Sequence, residues 1–326
     1  MNNSMKFLIK KSDSGERLDI FLSKKIIRLT RSQIKKIIES NNIQINQKIN
    51  NLPSRKIRVN DKIIVNLVVR KSEKLLPNKI KLEIHFEDKD ILIINKPKGM
   101  VVHPGAGNYK NTLANALLYK YKNKLSDING ELRPGIVHRI DKDTTGLLVI
   151  AKNNLSHSKL GEQFSNHTIK RKYLCLVWGV IRPLNGRIET LITRNKSNRQ
   201  LMIVSDFNGK KAITNYKTIK VFNIKDIPKI SLIECELETG RTHQIRVHMK
   251  YKGTSLLGDI QYGKKNIKFK KINQDFNRNL FSLTGQALHA KSLGFIHPSK
   301  NKWTNFDSKL PKDFQNLLNL LNNLSA

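Results

Sequence analysis

The chain has 326 residues, of which 61 are Lys or Arg and 25 are Asp or Glu, so its formal net charge is +36. That length suits two or three domains, and a hydrophobic share of 38% is enough to give them packed cores. Self-repulsion on this scale favours a polyanionic partner, nucleic acid first of all. A skewed base composition would explain the abundant Lys, Asn and Ile, but it would raise Asp and Glu as well, and those have not risen. No apolar run reaches the ~18 residues that a membrane span needs. The basic stretch Met1 to Ser12 has too short an apolar core for a signal peptide, so the chain is expected in the cytoplasm. The two cysteines, Cys175 and Cys235, fit neither a disulfide framework nor a clustered zinc site and read as core residues.

The positive charge is spread along the chain, and residues 1–70 alone carry 16 basic and 5 acidic side chains. Residues 1–16 read as an N-terminal extension. Beyond them Leu18, Phe21, Leu22 and Ile26 recur at helical spacing. Thr30 opens a second helix, with Gln33 three residues on as a capping box, and Ile34, Ile37 and Ile38 form its apolar face. Asn41-Asn42 makes a turn, Ile43 and Ile45 alternate as a short strand, and Ile57, Val59, Ile63 and Val65 predict further strands. A basic, polar stretch at 71–81 reads as a linker, which gives domain limits of 17–75 and 76–326.

From about Leu82 onward strands and helices intermix. Residues 91–94, 147–150, 174–177 and 230–235 read as strands, and 112–121 as a helix. Turns rather than helices separate many of the strands, so the fold class is α+β and not a doubly wound sheet. Residues 264–271 form a basic insertion, expected as a surface loop. Phe314, Leu317, Leu318 and Leu321 mark an amphipathic C-terminal helix.

Lys24, Lys25, Arg28, Arg31, Lys35 and Lys36 crowd the first two helices and the turn between them. Such a face is either a solvated charged surface or a track for phosphates. Arg17-Leu18-Asp19, Thr30-Arg31-Ser32-Gln33-Ile34 and Ile43-Gln44-Ile45-Asn46 resemble an S4 RNA-binding domain over about fifty residues. The resemblance implies that Lys24, Arg28, Arg31, Lys35 and Lys36 bind RNA. Asn42 stands where that family usually has Gly, and Asn tolerates the left-handed backbone such a turn needs.

The segment from Gly135 to Val149 is the most informative. It sets Asp141 and Asp143 beside His138, Arg139, Thr144 and Thr145, at the entry to an apolar strand. Polar residues gathered at a strand end are typical of an active-site loop. Asp141-Lys142-Asp143-Thr144-Thr145 also spells the pattern of aspartate-nucleophile phosphohydrolases, in which Mg²⁺ bridges the carboxylates. Against that reading, His138-Arg139 interrupts the apolar approach, and Gly258-Asp259 lacks the second acid expected nearby.

His138-Arg139-Ile140-Asp141 with Thr144-Thr145-Gly146-Leu147 resembles the signature of pseudouridine synthases of the RluA type. So do Asn95-Lys96-Pro97-Lys98-Gly99 with Val102-His103-Pro104-Gly105, Arg171-Lys172-Tyr173, Gly240 to Met249, Gly258-Asp259 with Tyr262-Gly263, and Ala287-Leu288-His289-Ala290. The motifs occur in the family's order from about Leu82 to Pro298, and the visible departure is Ile140 for Leu, which is nearly volume-neutral. The resemblance implies a small S4 (αL-type) domain followed by a catalytic domain with a mixed, largely antiparallel sheet flanked by helices. It implies isomerisation of uridines in large-subunit (23S) ribosomal RNA, in a stem-loop at the subunit interface, by a monomer without metal or other cofactor.

The chemistry breaks N1–C1′, turns the ring and joins C5 to C1′, with neither redox nor phosphate transfer. It needs a nucleophile while the glycosidic bond is open, and an aspartate in water titrates near ~4 and is available at neutral pH. By resemblance that residue is Asp141, and Arg246 is the cation that holds it. Tyr173 matches the tyrosine that stacks on the uracil and relays the C5 proton, and Arg139 matches an arginine that fills the space left by an extruded uridine. His138 reads as structural, and His243, His248 and His289 as hydrogen-bonded loop histidines rather than metal ligands. An assembly factor that binds RNA without catalysis is the alternative for the whole chain.

Overall fold

The structure, a computed structural model, describes residues 3–26, 29, 31–67, 75–105, 107–122, 124–263 and 274–325. It divides into two compact units, Met1–Lys74 and Leu75–Ala326.

In the first unit, helices α1 (Leu18–Lys25) and α2 (Arg31–Glu39) pack on a four-stranded antiparallel sheet. Its strands are β1 (Asn3–Leu8), β2 (Ile43–Ile45), β3 (Lys48–Ile49) and β4 (Lys62–Leu67), in the order β1-β4-β2-β3. Leu18, Phe21, Leu22, Ile26, Ile34 and Ile38 meet Ile43, Ile45, Ile63 and Val65 in one buried cluster. Residues 3–8 are not a free extension: Met5 and Phe7 turn inward, and the Phe7 ring meets Phe21 edge-on at 6.0 Å. No strand forms at 57–59, where Ile57 is buried but Val59 faces solvent. The left-handed residue of the turn after α2 is Asn41 (φ 59°) rather than Asn42. Arg28 and Thr30 lie outside the described residues, as does the Gln33 side chain.

The second unit is built on one ten-stranded sheet. Its strands are β5 (Glu83–Glu87), β6 (Ile91–Lys96), β7 (Thr145–Ala151), β8 (Lys170–Trp178), β9 (Asn185–Arg194), β10 (Met202–Ser205), β11 (Lys210–Phe222), β12 (Ile230–Leu237), β13 (Leu288–Ile296) and β14 (Trp303–Asp307). The order is β10-β9-β11-β12-β8-β13-β7-β6-β5, with β14 beside β13. All pairings are antiparallel except β13 with β7, so the sheet is mixed and largely antiparallel.

Helices cover both faces, and alternation along the central strands shows how. Leu92, Ile94, Leu148 and Ile150 share a core with α3 (Leu113–Tyr121) and α5 (Gln244–Tyr251). Ile91, Ile93, Leu147 and Val149 point the other way, towards α4 (Asn154–Ser165). Further along that sheet, α6 (Gln274–Ser282) and α7 (Lys312–Leu324) bury Phe276, Phe314, Leu317 and Leu321 against Leu176 and Leu232. Central strands covered on both faces read as near-continuous apolar runs, which is why β6 and β7 are legible as strands. The expected insertion at 264–271 lies outside the described residues. Among the described residues no helix is long and apolar enough to cross a membrane.

The parallel pair β7–β13 sets the position of the site. Gly146 sits where β7 passes closest to β13, with φ 111° and an imagined Cβ only 2.3 Å from the Ala290 carbonyl oxygen. A side chain there would push the strands apart. Just before this contact the chain leaves the loop that carries Asp141.

Candidate active site

The loop from Arg139 to Thr144 enters β7 under several restraints. Behind it, the buried His138 ring stacks on Phe164 at 4.7 Å, and its Nε2 accepts the Val149 N–H at 3.0 Å. Burial and then the Arg171 cation push the His138 imidazole down to about 3, so it is a neutral structural group. The wholly buried Lys96 ammonium donates to the carbonyls of Pro97, Met100 and Lys142 at 2.8–2.9 Å, and so fastens the loop from β6. Burial lowers Lys96 to about 7, against the opposing pull of Asp143 and Asp141. Gln286 donates to the Thr144 hydroxyl at 3.1 Å from the β13 side.

Opposite the loop stands the first turn of α5. Gln244 locks that turn: its carbonyl accepts from the Thr239 hydroxyl and the Arg241 N–H, and its amide donates to Ile213 and Thr214. Two residues on, Arg246 projects between two carboxylates. Its tight partner is Asp259, reached by Nε at 2.7 Å and Nη2 at 2.8 Å. Its remaining nitrogen, Nη1, lies 3.6 Å from Asp141, and the Asp141 side chain is 16% exposed against 6% for Arg246. The guanidinium also lies over the Tyr262 ring, 4.8 Å from its centroid. Asp259 further accepts the N–H groups of Gln261 and Tyr262, so four donors hold it. The pairing of Arg246 with Asp141 is therefore present but secondary to an Arg246–Asp259 fork that sequence reasoning missed. The only sign of it was Asp259 itself, set in a glycine-bounded motif.

Tyr173, on β8, lines the same narrow cavity as Asp141 and Arg246, about 70 Å³ in volume. Burial raises its phenol pKa; the nearby Arg171 opposes that shift and Asp141 adds to it. Arg171, Leu237, Thr242 and His243 are among the residues that also line it. Arg171 is itself buried and donates to the carbonyls of Leu237 and Glu238, leaving its Nε without a partner. His243, in a left-handed conformation (φ 57°), shares a 2.8 Å hydrogen bond with the Tyr262 hydroxyl. Arg139 stands at the mouth, exposed, within 3.4 Å of the His103 Nε2.

The cavity can hold a planar group against Tyr173 with a cation-backed carboxylate facing it. It is poorly arranged for the bridged metal of a phosphohydrolase, because Asp259, the acid available for that task, has both oxygens turned to Arg246. His248 lies between Thr190 and Thr214, and His289 between Thr145 and Ser308. These two are hydrogen-bonded as expected, though on a helix and a strand rather than on loops. Asp88, Asp90 and His297 also come together, with Ser299 and Lys300 bonded to the carboxylates, and cross-link two turns far from Asp141 in sequence.

The described basic residues of α1 and α2 are exposed and several are paired with acids. Lys35 and Lys36 are exposed on α2, with Lys35 3.7 Å from Glu39. Lys24 pairs with Glu16 at 2.6 Å, and Arg31 is held by the buried Asp19 at 2.7 Å. Arg28 cannot be placed with them, being outside the described residues.

The family model for RNA pseudouridylate synthase matches residues 90–251, and the S4 domain model matches residues 16–63. The chain is 47% identical to ribosomal large subunit pseudouridine synthase D of Zymomonas mobilis over 310 residues, 94% of each chain. It is 40% identical to an uncharacterised RNA pseudouridine synthase of Bacillus subtilis over 97% of each chain. Among solved structures, human RNA pseudouridylate synthase domain containing 4 superposes with a TM-score of 0.56 at 25% identity, covering 74% of this chain and 93% of that one.

Proposed function

This chain belongs to the RNA pseudouridylate synthase family, and on that premise we propose that it isomerises specific uridines in large-subunit ribosomal RNA with the Asp141 carboxylate as nucleophile. The observation that carries the reading is a nearly buried Asp141 backed by Arg246 in a cavity whose wall includes Tyr173. The similarity to relatives named ribosomal large subunit pseudouridine synthase D supports the choice of RNA.

The target uridine leaves its stack, in a stem-loop at the subunit interface, and Arg139 fills the space it vacates. Its ring lies on Tyr173, a contact of the kind worth about 1–3 kcal/mol. The carboxylate of Asp141 attacks, the N1–C1′ bond opens, and the uracil turns to offer C5. After C5 joins C1′ the carboxylate is released unchanged, the C5 proton passes to solvent through the Tyr173 hydroxyl, which hands on its own proton as it accepts that one, and N1 takes up a proton from solvent. Atoms and electrons balance within the nucleotide, so the step needs no cofactor. Residues 17–75 dock RNA through Lys24, Arg28, Arg31, Lys35 and Lys36, while residues 76–326 perform the chemistry. The protein acts as a cytoplasmic monomer.

The test uses 23S ribosomal RNA transcribed with C5-tritiated uridine. Wild type is expected to release tritium, and Asp141→Ala to release none while still binding the RNA. Release that persists in Asp141→Ala contradicts the assignment.

A further inference from the structure

A second cavity, of about 290 Å³, adjoins the one that holds Tyr173, and Arg139, Ile140, Asp141 and His243 line both. Its own walls are His103, Pro104, Gly105, Asn108 and Lys142, with Val101 below. On one wall Gly105 and Asn108 exchange backbone hydrogen bonds at 2.8 and 3.2 Å.

The polar equipment of this cavity is largely unused. Among the described residues His103 Nδ1 is buried without a hydrogen-bond partner, and its Nε2 lies 3.4 Å from the Arg139 guanidinium. Buried polar atoms are nearly always satisfied, so an idle one on a cavity wall marks a place where something else completes the bond. The Lys142 side chain is exposed at the edge, and Asp141 is the one acid in the lining. Such a lining suits an anionic ligand with hydrogen-bonding edges and does not suit an apolar one.

An RNA strand that delivers a uridine to Asp141 must continue past Arg139, and the next nucleotide needs a place. We propose that the second cavity receives the nucleotide adjoining the target uridine, with Lys142 beside its phosphate and the His103 imidazole against its base. His103 is then a specificity-determining residue, in keeping with the way splayed bases of RNA loops are read by imidazole and guanidinium groups. The proposal rests on the reading of Asp141 given above and adds a sequence preference to it.

The experiment takes a stem-loop from 23S ribosomal RNA around a uridine that the wild-type protein modifies. Three versions are compared: intact, abasic on the 5′ side of that uridine, and abasic on the 3′ side. Wild type is expected to lose about tenfold in kcat/KM on one abasic RNA, the scale of one or two lost hydrogen bonds. His103→Ala and the bulkier His103→Gln are expected to show that loss on the intact RNA and no further loss on the abasic one. Additive losses overturn the proposal, as does a wild type indifferent to both abasic sites. A wild-type protein that modifies no uridine in 23S RNA overturns the reading of Asp141, and the proposal falls with it.

Discussion

Arg246 serves two carboxylates, and they are unequal partners. The fork to Asp259 is bidentate and buried, while Asp141 takes a longer contact from the nitrogen left over. Asp259 thereby fixes the cation that faces Asp141. Truncating one member of such a buried pair typically costs about 3–5 kcal/mol, so Arg246→Ala is expected to lower the melting temperature sharply as well as abolish activity. Arg246→Lys keeps the charge but loses the fork; it is expected to fold with a lower Tm and to lose most activity. A variant Arg246→Lys with full activity would mean that the fork to Asp259 is dispensable. Tyr173→Phe keeps the buried ring and removes only the hydroxyl, so RNA affinity should hold while isomerisation falls by about 100-fold or more, the usual scale for a lost acid–base group. Equal losses in binding and rate would instead make Tyr173 a packing residue. Asp141, Tyr173 and Arg246 stand out in the sequence as candidates because each lies inside a contiguous run of chemically telling residues. The role of Asp259 was not, because it depends on the fold bringing residues 246 and 259 face to face.

At the scale of elements, the site depends on how β6, β7 and β13 converge. Lys96 reaches across from β6 to hold the carbonyl of Lys142, next to Asp141, so a change of strand residue acts on the loop that carries the proposed nucleophile. Lys96→Met fits the space but takes the donor from three carbonyls, of which the buried one of Met100 alone is a loss of about 1–3 kcal/mol. Gly146→Ala places a methyl group against the Ala290 carbonyl at a backbone angle that side chains rarely adopt. It is expected to yield insoluble or strongly destabilised protein, and a melting temperature within a degree or two of wild type would contradict that account of the β7–β13 contact. The strands buried on both faces, β6, β7, β8 and β12, were readable from their apolar runs. Strands β9, β11 and β13 are hard to read from sequence, since their apolar residues are interrupted by Lys, Asn, Thr and His, and β10 is only four residues long. Strand β1 was passed over because its inward face is only Met5 and Phe7 among polar neighbours.

For the whole molecule, charge and buried imidazoles govern the response to conditions. A chain of +36 that binds RNA releases counterions as it does so, and affinity should fall steeply and linearly on a log–log salt plot. Lys36→Ala, on the exposed face of α2, is expected to lower that slope by about 0.7–0.9, one phosphate contact. Burial holds His103, His248 and His289 down to about 4 and His138 to about 3. In the unfolded chain histidine titrates near ~6.5, so from there down to about pH 4 the unfolded state binds the extra protons and stability declines as pH falls. The urea midpoint should therefore drop between pH 7 and 4.5, and a flat midpoint would show that these rings are not buried neutral. The two-part architecture and its RNA partner could be read from charge and motif order, whereas the fork from Arg246 to Asp259 appears only in three dimensions. The most direct measurement is pseudouridine mapping of 23S ribosomal RNA from cells lacking this protein, supplied with wild type or with the isosteric Asp141→Asn. Particular uridines should stay unmodified in the deficient cells, regain pseudouridine with wild type and remain uridine with Asp141→Asn; restoration by Asp141→Asn would contradict the account.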